Sequence, residues 1–140
     1  MENEVRFYLD TSIWLDFFEK RDEPDFPKGT WAKNLIRKII NDNNEIIFSD
    51  ANMLELINNS YSQFEIEEFL SNLKEIIICI EATEKEIGKA KDLAQKRDIP
   101  KHDVLHALIA RDNSAILIDL DAHFKKLTDI ITSHTPKEFI

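Results

Sequence analysis

Residues 5–12 read VRFYLDTS, and the fold of the chain is decided at this segment. The run from Val5 to Leu9 is short, apolar and rich in aromatic side chains, which is typical of a buried strand. Asp10, Thr11 and Ser12 follow at once, and short polar side chains of this kind favour the start of a helix. The segment therefore predicts a buried strand that passes directly into a helix over residues 13–19.

The same alternation continues along the chain. Further strands are predicted at residues 45–48, 75–80 and 115–118, with a last edge strand at 130–132. Apolar side chains recur at helical spacing in five other segments, namely residues 30–40, 50–57, 64–73, 83–97 and 101–111, and a short helix is expected at 121–126. Residues 22–29 hold two prolines and a glycine and are expected to form a loop. Strands that alternate with helices predict an α/β fold with a mainly parallel sheet of four to five strands, in a single domain over residues 1–140.

The charge of the chain excludes one class of function. Asp and Glu number 27 against 18 Lys and Arg, so the formal net charge is −9. A protein that coats DNA by electrostatics alone needs clustered cations, and this balance argues against it. A nuclease stays possible, because bound metal ions can supply the positive charge that a phosphate needs.

The cysteine content and the N-terminus indicate a reducing, cytoplasmic compartment. Cys79 is the single cysteine, and its place in the apolar run from Ile76 to Ile80 predicts a buried core thiol. The N-terminus begins MENE, which is not the cationic start of a secretory signal. No apolar stretch approaches the roughly 20 residues that span a bilayer, so no membrane segment is expected.

Acidic side chains follow the predicted strands. Asp10 follows the first strand, Asp50 the second, and Asp119 and Asp121 the fourth. In a parallel α/β sheet, ligands bind beyond the carboxyl ends of the strands. Two carboxylates about 5 Å apart repel by roughly 3 kcal/mol at an effective dielectric of about 20, and a divalent cation reverses that effect. Carboxylate ligands suit Mg²⁺ and Mn²⁺, so we expect raised carboxyl pKa values without metal and a stabilised fold with it.

Four segments of the chain resemble, in order, the motifs of PIN domains, particularly the toxin ribonucleases of the VapC type. They are residues 5–12 (VRFYLDTS), 47–56 (IFSDANMLEL), 103–110 (DVLHALIA) and 117–124 (LIDLDAHF). The resemblance implies a three-layer α/β/α fold in which Asp10, Glu55, Asp103 and Asp121 are catalytic acids that hold Mg²⁺ or Mn²⁺. It further implies hydrolysis of RNA phosphodiester bonds by one or two metal ions, a homodimer, and silencing by a small antitoxin protein.

Three residues near these motifs have open roles. Asp119 stands where the family more often has Thr or Ser, so it either adds a fifth carboxylate or turns aside. Ser12 is expected to bond to Asp10 or to a metal-bound water, or to cap the helix, and both kinds of role can hold together. His106 shares a helix face with Asp103. Its role is either that of a general acid or, as we expect, that of a half-buried residue that supports the acids.

Three other functions compete with a ribonuclease. A phospho-acceptor receiver domain needs an acceptor Asp after a middle strand, and the third strand here ends in Ile80-Glu81. A DNA flap nuclease needs added DNA-gripping elements that 140 residues cannot hold. A catalytically silent PIN-like binding or scaffold module is the remaining alternative, and it leaves the complete set of mutually repelling acids without a purpose.

Overall fold

The computed structural model describes residues 5–120 and 122–140, with residues 122 and 123 described for their backbone alone. The elements follow in the order β1 (Arg6–Leu9), α1 (Thr11–Glu19), β2 (Asp22–Glu23), β3 (Phe26–Pro27), α2 (Lys28–Asn41), β4 (Glu45–Ser49), α3 (Asp50–Asn58), α4 (Gln63–Ser71), β5 (Ile77–Ile80), α5 (Glu84–Arg97), α6 (Lys101–Asp112), β6 (Ile116–Ile118) and β7 (Ser133–His134). Two 3₁₀ helices, Ala122–Leu127 and Pro136–Phe139, flank β7.

The central sheet has five strands in the order β5-β4-β1-β6-β7, and every pairing is parallel. The predicted parallel sheet is therefore confirmed. Its last strand was expected at residues 130–132 and lies instead at Ser133–His134, where it pairs with Leu117 and Ile118. Part of the expected loop at 22–29 is a small antiparallel hairpin of β2 and β3, after which α2 begins at Lys28.

Helices cover both faces of the sheet, as the alternation of side chains along β1 shows. Phe7 and Leu9 belong to a core cluster built with α1, α2, α3 and α4. Tyr8, between them, belongs to a second cluster with α5 and α6. Successive side chains of a strand point to opposite faces, so the fold has three layers, α/β/α, with two cores on either side of the sheet.

Capping boxes fix where three helices begin. The Thr83 hydroxyl accepts from the Glu86 backbone amide while the Glu86 carboxylate accepts from the Thr83 backbone amide, and Ser62 and Glu65 repeat the arrangement at α4. At α3, Ser49 is the cap and Asn52 its partner. Because Ser49 is also the last residue of β4, this box fixes the direction in which α3 leaves the sheet.

Gly29 is required by a close approach of two backbones. A Cβ at this position would lie 2.7 Å from the amide nitrogen of Arg21 and 2.7 Å from the carbonyl carbon of Lys20. Any larger residue would push α2 away from the end of α1. Gly29 therefore sets the spacing between these two helices.

The prediction that Cys79 is a buried thiol is wrong. Cys79 lies on β5, which pairs with β4 only and forms one edge of the sheet, and its side chain is exposed. The apolar run around it is half-buried, because an edge strand is covered less completely than a central one. No helix within the described ranges is long and apolar enough to span a bilayer.

Candidate functional site

Polar side chains gather at the carboxyl ends of the three middle strands. Asp10 follows β1, Ser49 ends β4 and Asp119 follows β6, and these strands are neighbours in the sheet. Glu55 reaches the same end from α3, and Asp103 from the first turn of α6. Asp10, Asp103 and Asp119 are 8%, 6% and 3% exposed, which is unusual burial for carboxylates.

Asp10 is held in place by Ser12. The Ser12 hydroxyl donates to Asp10 Oδ2 over 2.7 Å, while Asp10 Oδ1 lies 4.0 Å from His106 Nε2. The N-cap of α1 is Asp10 itself, so of the two roles open for Ser12 the hydrogen bond to Asp10 is confirmed and the cap is wrong. Ser12 thus orients one oxygen of a buried carboxylate and leaves the other facing the site.

Glu55 is engaged by two donors at one oxygen. Thr11 Oγ1 donates to Glu55 Oε1 over 2.7 Å, and His106 Nε2 makes a short contact with the same oxygen. The other oxygen, Oε2, lies 3.6 Å from His102 Nε2. With 23% of its side chain exposed, Glu55 is the most accessible of these acids.

Asp103 shares a histidine neighbour with Glu55. His102 Nε2 lies 3.7 Å from Asp103 Oδ1 and 3.6 Å from Glu55 Oε2, so these two carboxylates face one imidazole. Asp10 and Glu55 in turn share His106. The structure therefore brings together three of the four predicted acids, each within 4.0 Å of a histidine nitrogen that it shares with another.

His106 is completely buried, where the sequence suggested half-burial. Burial opposes a charge on the ring, yet the hydrogen bond to Glu55 and the charges of Asp10, Glu55 and Asp103 raise the pKa of His106 above its ordinary value. For Glu55, burial likewise opposes the charge, and the His106 hydrogen bond and charge, with Thr11, hold its pKa below its ordinary value. The expectation of a raised carboxyl pKa is therefore wrong for Glu55, because a buried cationic partner outweighs burial.

The remaining two predicted acids are Asp119 and Asp121. Asp119 lines a cleft of about 370 Å³ on the β7 side of the site, together with Lys125, Thr128 and Thr132. Whether it contributes a fifth carboxylate stays a prediction. Asp121, the fourth predicted acid, lies outside the described residues.

The chemistry of the donor set fits a hard divalent cation. Asp10, Glu55 and Asp103 offer carboxylate oxygens, which Mg²⁺ and Mn²⁺ prefer. Within residues 5–120 and 122–140, no group of three or more His, Cys, Asp or Glu side chains is arranged so that it could hold a metal ion as it stands. Glu55 is turned toward His106 in this arrangement, so the donor set fits the ion by its chemistry and needs Asp121 or a local adjustment to complete it.

Lys101 lies beside the acidic centre, exposed at the start of α6 and two residues before Asp103. Arg97, the last residue of α5, is instead held by two 2.8 Å hydrogen bonds to Asp129. Farther along α1, Phe17 and Phe18 line an apolar groove of about 340 Å³ with Phe69, whose ring stacks on Phe18 at 4.1 Å. Trp14 is fully buried in the core.

Sequence reasoning missed Tyr8, Thr11 and His102 as parts of the site. Tyr8 is fully buried and bonds both His106 Nδ1 and Ser49 Oγ, and burial raises its pKa well above the ordinary value. Its place on the opposite face from Phe7 and Leu9 was readable from strand alternation. His102 was readable from helical spacing, since it lies four residues before His106 on one helix face.

Comparisons with known proteins support the fold described above. A VapBC2 structure from Rickettsia felis, bound to a DNA fragment from its promoter, superposes with a TM-score of 0.67 at 21% identity, over 94% of this chain and 98% of that one. A toxin–antitoxin complex from Klebsiella pneumoniae superposes with a TM-score of 0.62 at 16% identity, over 92% of this chain and 98% of that one. No curated protein sequence matches the chain.

At these identities, the superpositions establish a shared fold. The PIN domain family model matches residues 7–130, which include Asp10, Glu55, Asp103 and both aspartates after β6. The chain therefore belongs to the PIN domain family.

Proposed function

We propose that this chain is a metal-dependent endoribonuclease that hydrolyses RNA phosphodiester bonds. The observation that carries the proposal is the convergence of Asp10, Glu55 and Asp103 around two histidines at the carboxyl end of the sheet. Buried carboxylates repel one another, and a fold retains such an arrangement at a cost in stability. A site that binds cations accounts for that cost.

Each residue of the site has a distinct task in this proposal. Asp10, Glu55 and Asp103 hold Mg²⁺ or Mn²⁺, with Asp121 as the fourth acid that the family resemblance implies. A divalent cation bound there supplies positive charge to the phosphodiester and lowers the pKa of a bound water. Ser12 keeps Asp10 oriented through its 2.7 Å hydrogen bond, and Thr11 does the same for Glu55.

The negative charge of the chain bears on how it would bind RNA. The net charge of −9 gives RNA no general attraction, so binding depends on the cation and on local groups such as Lys101 and Lys125. We place the enzyme in the cytoplasm, where its RNA substrate is, as the sequence suggested. A substrate specificity that relies on a few local contacts suits an enzyme that cuts a narrow set of RNAs.

The proposal includes regulation by a partner. The superposed structures are a VapBC2 structure from Rickettsia felis and a toxin–antitoxin complex from Klebsiella pneumoniae. The family resemblance implies that such a toxin is silenced by a small antitoxin protein. Here the groove lined by Phe17, Phe18 and Phe69 offers an apolar surface for an antitoxin. We further propose a homodimer, as the family resemblance implies.

Cleavage of mixed cellular RNA tests this function. Purified protein is incubated with EDTA, Mg²⁺ or Mn²⁺, beside Asp103→Asn and the matched control Asp92→Asn, an exposed acid on α5. Cleavage that needs metal and Asp103 and survives Asp92→Asn supports the proposal. A folded protein that neither cleaves RNA nor binds Mn²⁺ would instead be the silent binding module.

A further inference from the structure

Six polar side chains next to the acidic centre form a closed ring of hydrogen bonds. The ring crosses from the sheet to three helices and returns to its starting atom. In order, its members are Glu55, His106, Tyr8, Ser49, Asn52 and Thr11. Five of the six are at most 3% exposed, and only Glu55 reaches the site surface.

The donors in this ring can be assigned one after another. Thr11 donates its single hydrogen to Glu55, so its oxygen accepts the Asn52 Nδ2 hydrogen over 3.0 Å. The Ser49 hydroxyl donates to the side-chain oxygen Oδ1 of Asn52 over 3.2 Å and accepts from the backbone amide of Asn52. Tyr8 therefore donates to Ser49 over 2.7 Å, because the Ser49 hydrogen is already used.

The assignment reaches His106 and gives both of its ring nitrogens a hydrogen. Since the Tyr8 hydrogen points to Ser49, the Tyr8 oxygen accepts from His106, and Nδ1 of His106 carries a hydrogen. Nε2 of the same ring donates to Glu55 Oε1, so both ring nitrogens act as donors. Every hydroxyl, amide and ring nitrogen in the closed path has a partner, which makes the path rigid.

This ring restricts how Glu55 can meet a cation. Oε1 is occupied by Thr11 and His106, whereas Oε2 faces His102 at 3.6 Å, on the open side of the site. We propose that Tyr8 and His106 are positioning residues that lock the Glu55 carboxylate so that it offers a metal ion one oxygen, Oε2. This inference rests on the proposed function, in which Glu55 is a metal ligand.

The burial of the ring excludes direct contact with substrate. Tyr8 and His106 are both 0% exposed, so neither side chain can touch an RNA strand. A purely structural need at these positions would be met by apolar residues of the same volume, without desolvating so many polar groups. The ring is therefore best explained by what it holds, namely a carboxylate in one orientation.

Manganese binding to the whole chain tests the proposal. Free Mn²⁺ is followed by electron paramagnetic resonance during titration of the wild-type protein, Tyr8→Phe and Tyr61→Phe, each shown by circular dichroism to be folded. Loss of the supporting partners of a ligand typically weakens metal affinity about 10–100-fold. We expect a loss in that range for Tyr8→Phe and less than about a twofold change for Tyr61→Phe, whose hydroxyl bonds Glu19 at the surface.

A conservative pair of variants separates positioning from packing. Thr11→Val keeps the shape of the side chain and removes the hydroxyl that donates to Glu55, whereas Thr11→Ser retains the hydroxyl. We expect Thr11→Val to lose affinity for Mn²⁺ and Thr11→Ser to keep it. If the Tyr8→Phe and Thr11→Val proteins are folded and bind Mn²⁺ like the wild type, the inference is overturned while the proposed function stands.

A further readout examines the ring without metal. In EDTA, nuclear magnetic resonance should show a solvent-protected Nδ1–H proton of His106 that is absent in His106→Gln and shifted in Tyr8→Phe. Absence of this proton in the wild type overturns the donor assignment. Failure of the wild-type chain to bind Mn²⁺ at all overturns the proposed function and the inference together, which distinguishes that case from the failure described above.

Discussion

Replacing Tyr8 with Phe removes one oxygen atom from the middle of the buried ring and leaves the aromatic packing unchanged. In the wild type, that oxygen donates to Ser49 over 2.7 Å and accepts from His106 Nδ1 over 2.5 Å. After the change, the Nδ1–H group of His106 is left without a partner in a fully buried position. Water cannot replace the lost oxygen, because the phenylalanine ring fills the same volume.

The expected loss of stability can be worked out from these contacts. An unsatisfied buried donor costs about 1–3 kcal/mol, and the second lost hydrogen bond adds about 0.5–1.5 kcal/mol. We therefore expect the free energy of unfolding to fall by about 1.5–4.5 kcal/mol. For 140 residues, at an unfolding entropy of about 2.1 cal/mol/K each, that loss lowers the Tm by roughly 5–15 °C.

Urea unfolding followed by circular dichroism, together with calorimetry, measures this change in EDTA. Tyr61→Phe is the matched control, because Tyr61 is the other tyrosine of the chain and its hydroxyl donates to Glu19 at the surface over 2.9 Å. Its expected loss is below about 0.5 kcal/mol. If both variants unfold at the same urea concentration as the wild type, the buried hydroxyl is not held as described and the reasoning fails.

Four further outcomes are expected. Gly29→Ala should lower the Tm, because the new methyl group would lie 2.7 Å from backbone atoms of Lys20 and Arg21. Gly88→Ala has open space around the new methyl group and should raise the free energy of unfolding by up to ~1 kcal/mol. Calorimetry on both variants checks that the two changes in stability have opposite signs. In EDTA, stability should be greatest between pH 4.5 and 6.5, the ordinary pKa values of glutamate and histidine. The raised pKa of His106 stabilises the fold below pH 6.5 and this stabilisation is lost as pH rises, whereas the lowered pKa of Glu55 stabilises the fold above pH 4.5 and this stabilisation is lost as pH falls. A Tm that stays constant from about pH 3 to about pH 9 would contradict this. Mn²⁺ at neutral pH should raise the Tm of the wild type and leave that of a Glu55→Gln variant nearly unchanged, which thermal scans at several metal concentrations will show. Cys79 should react with a thiol reagent in the native protein at the rate of a free thiol, and a reaction that waits for denaturant would mean that the edge strand is covered.

The sheet and the gathering of acids were predictable because they depend on local signals. Apolar runs at β1, β4 and β6 mark buried strands, and parallel order sends the residue after each strand to one edge. Asp10 and Asp50 were found in this way. Glu55 and Asp103 were assigned to the same site by the resemblance of their segments to PIN-domain motifs.

The details that decide the charge of the site were not predictable in this way. The ring joins residues 41, 44, 51 and 98 positions apart, so its contacts exist only once the layers have packed. Counting acids along the chain predicted a raised pKa for Glu55, and the buried imidazole of His106 reverses that direction. Cys79 was misassigned for a related reason, because an apolar run does not reveal whether its strand is central or at an edge.

The position of β1 in the sheet has a consequence for synthesis of the chain on the ribosome. β1 is made first, yet its two neighbours are β4 and β6, and Phe7 pairs with Ile46 on one side and with Ile116 on the other. A strand pair that spans most of the chain closes slowly and only after the late strand has emerged. Asp10 therefore cannot meet Asp103 until α6 has left the ribosome, so the acidic centre assembles long after the strand that leads into it.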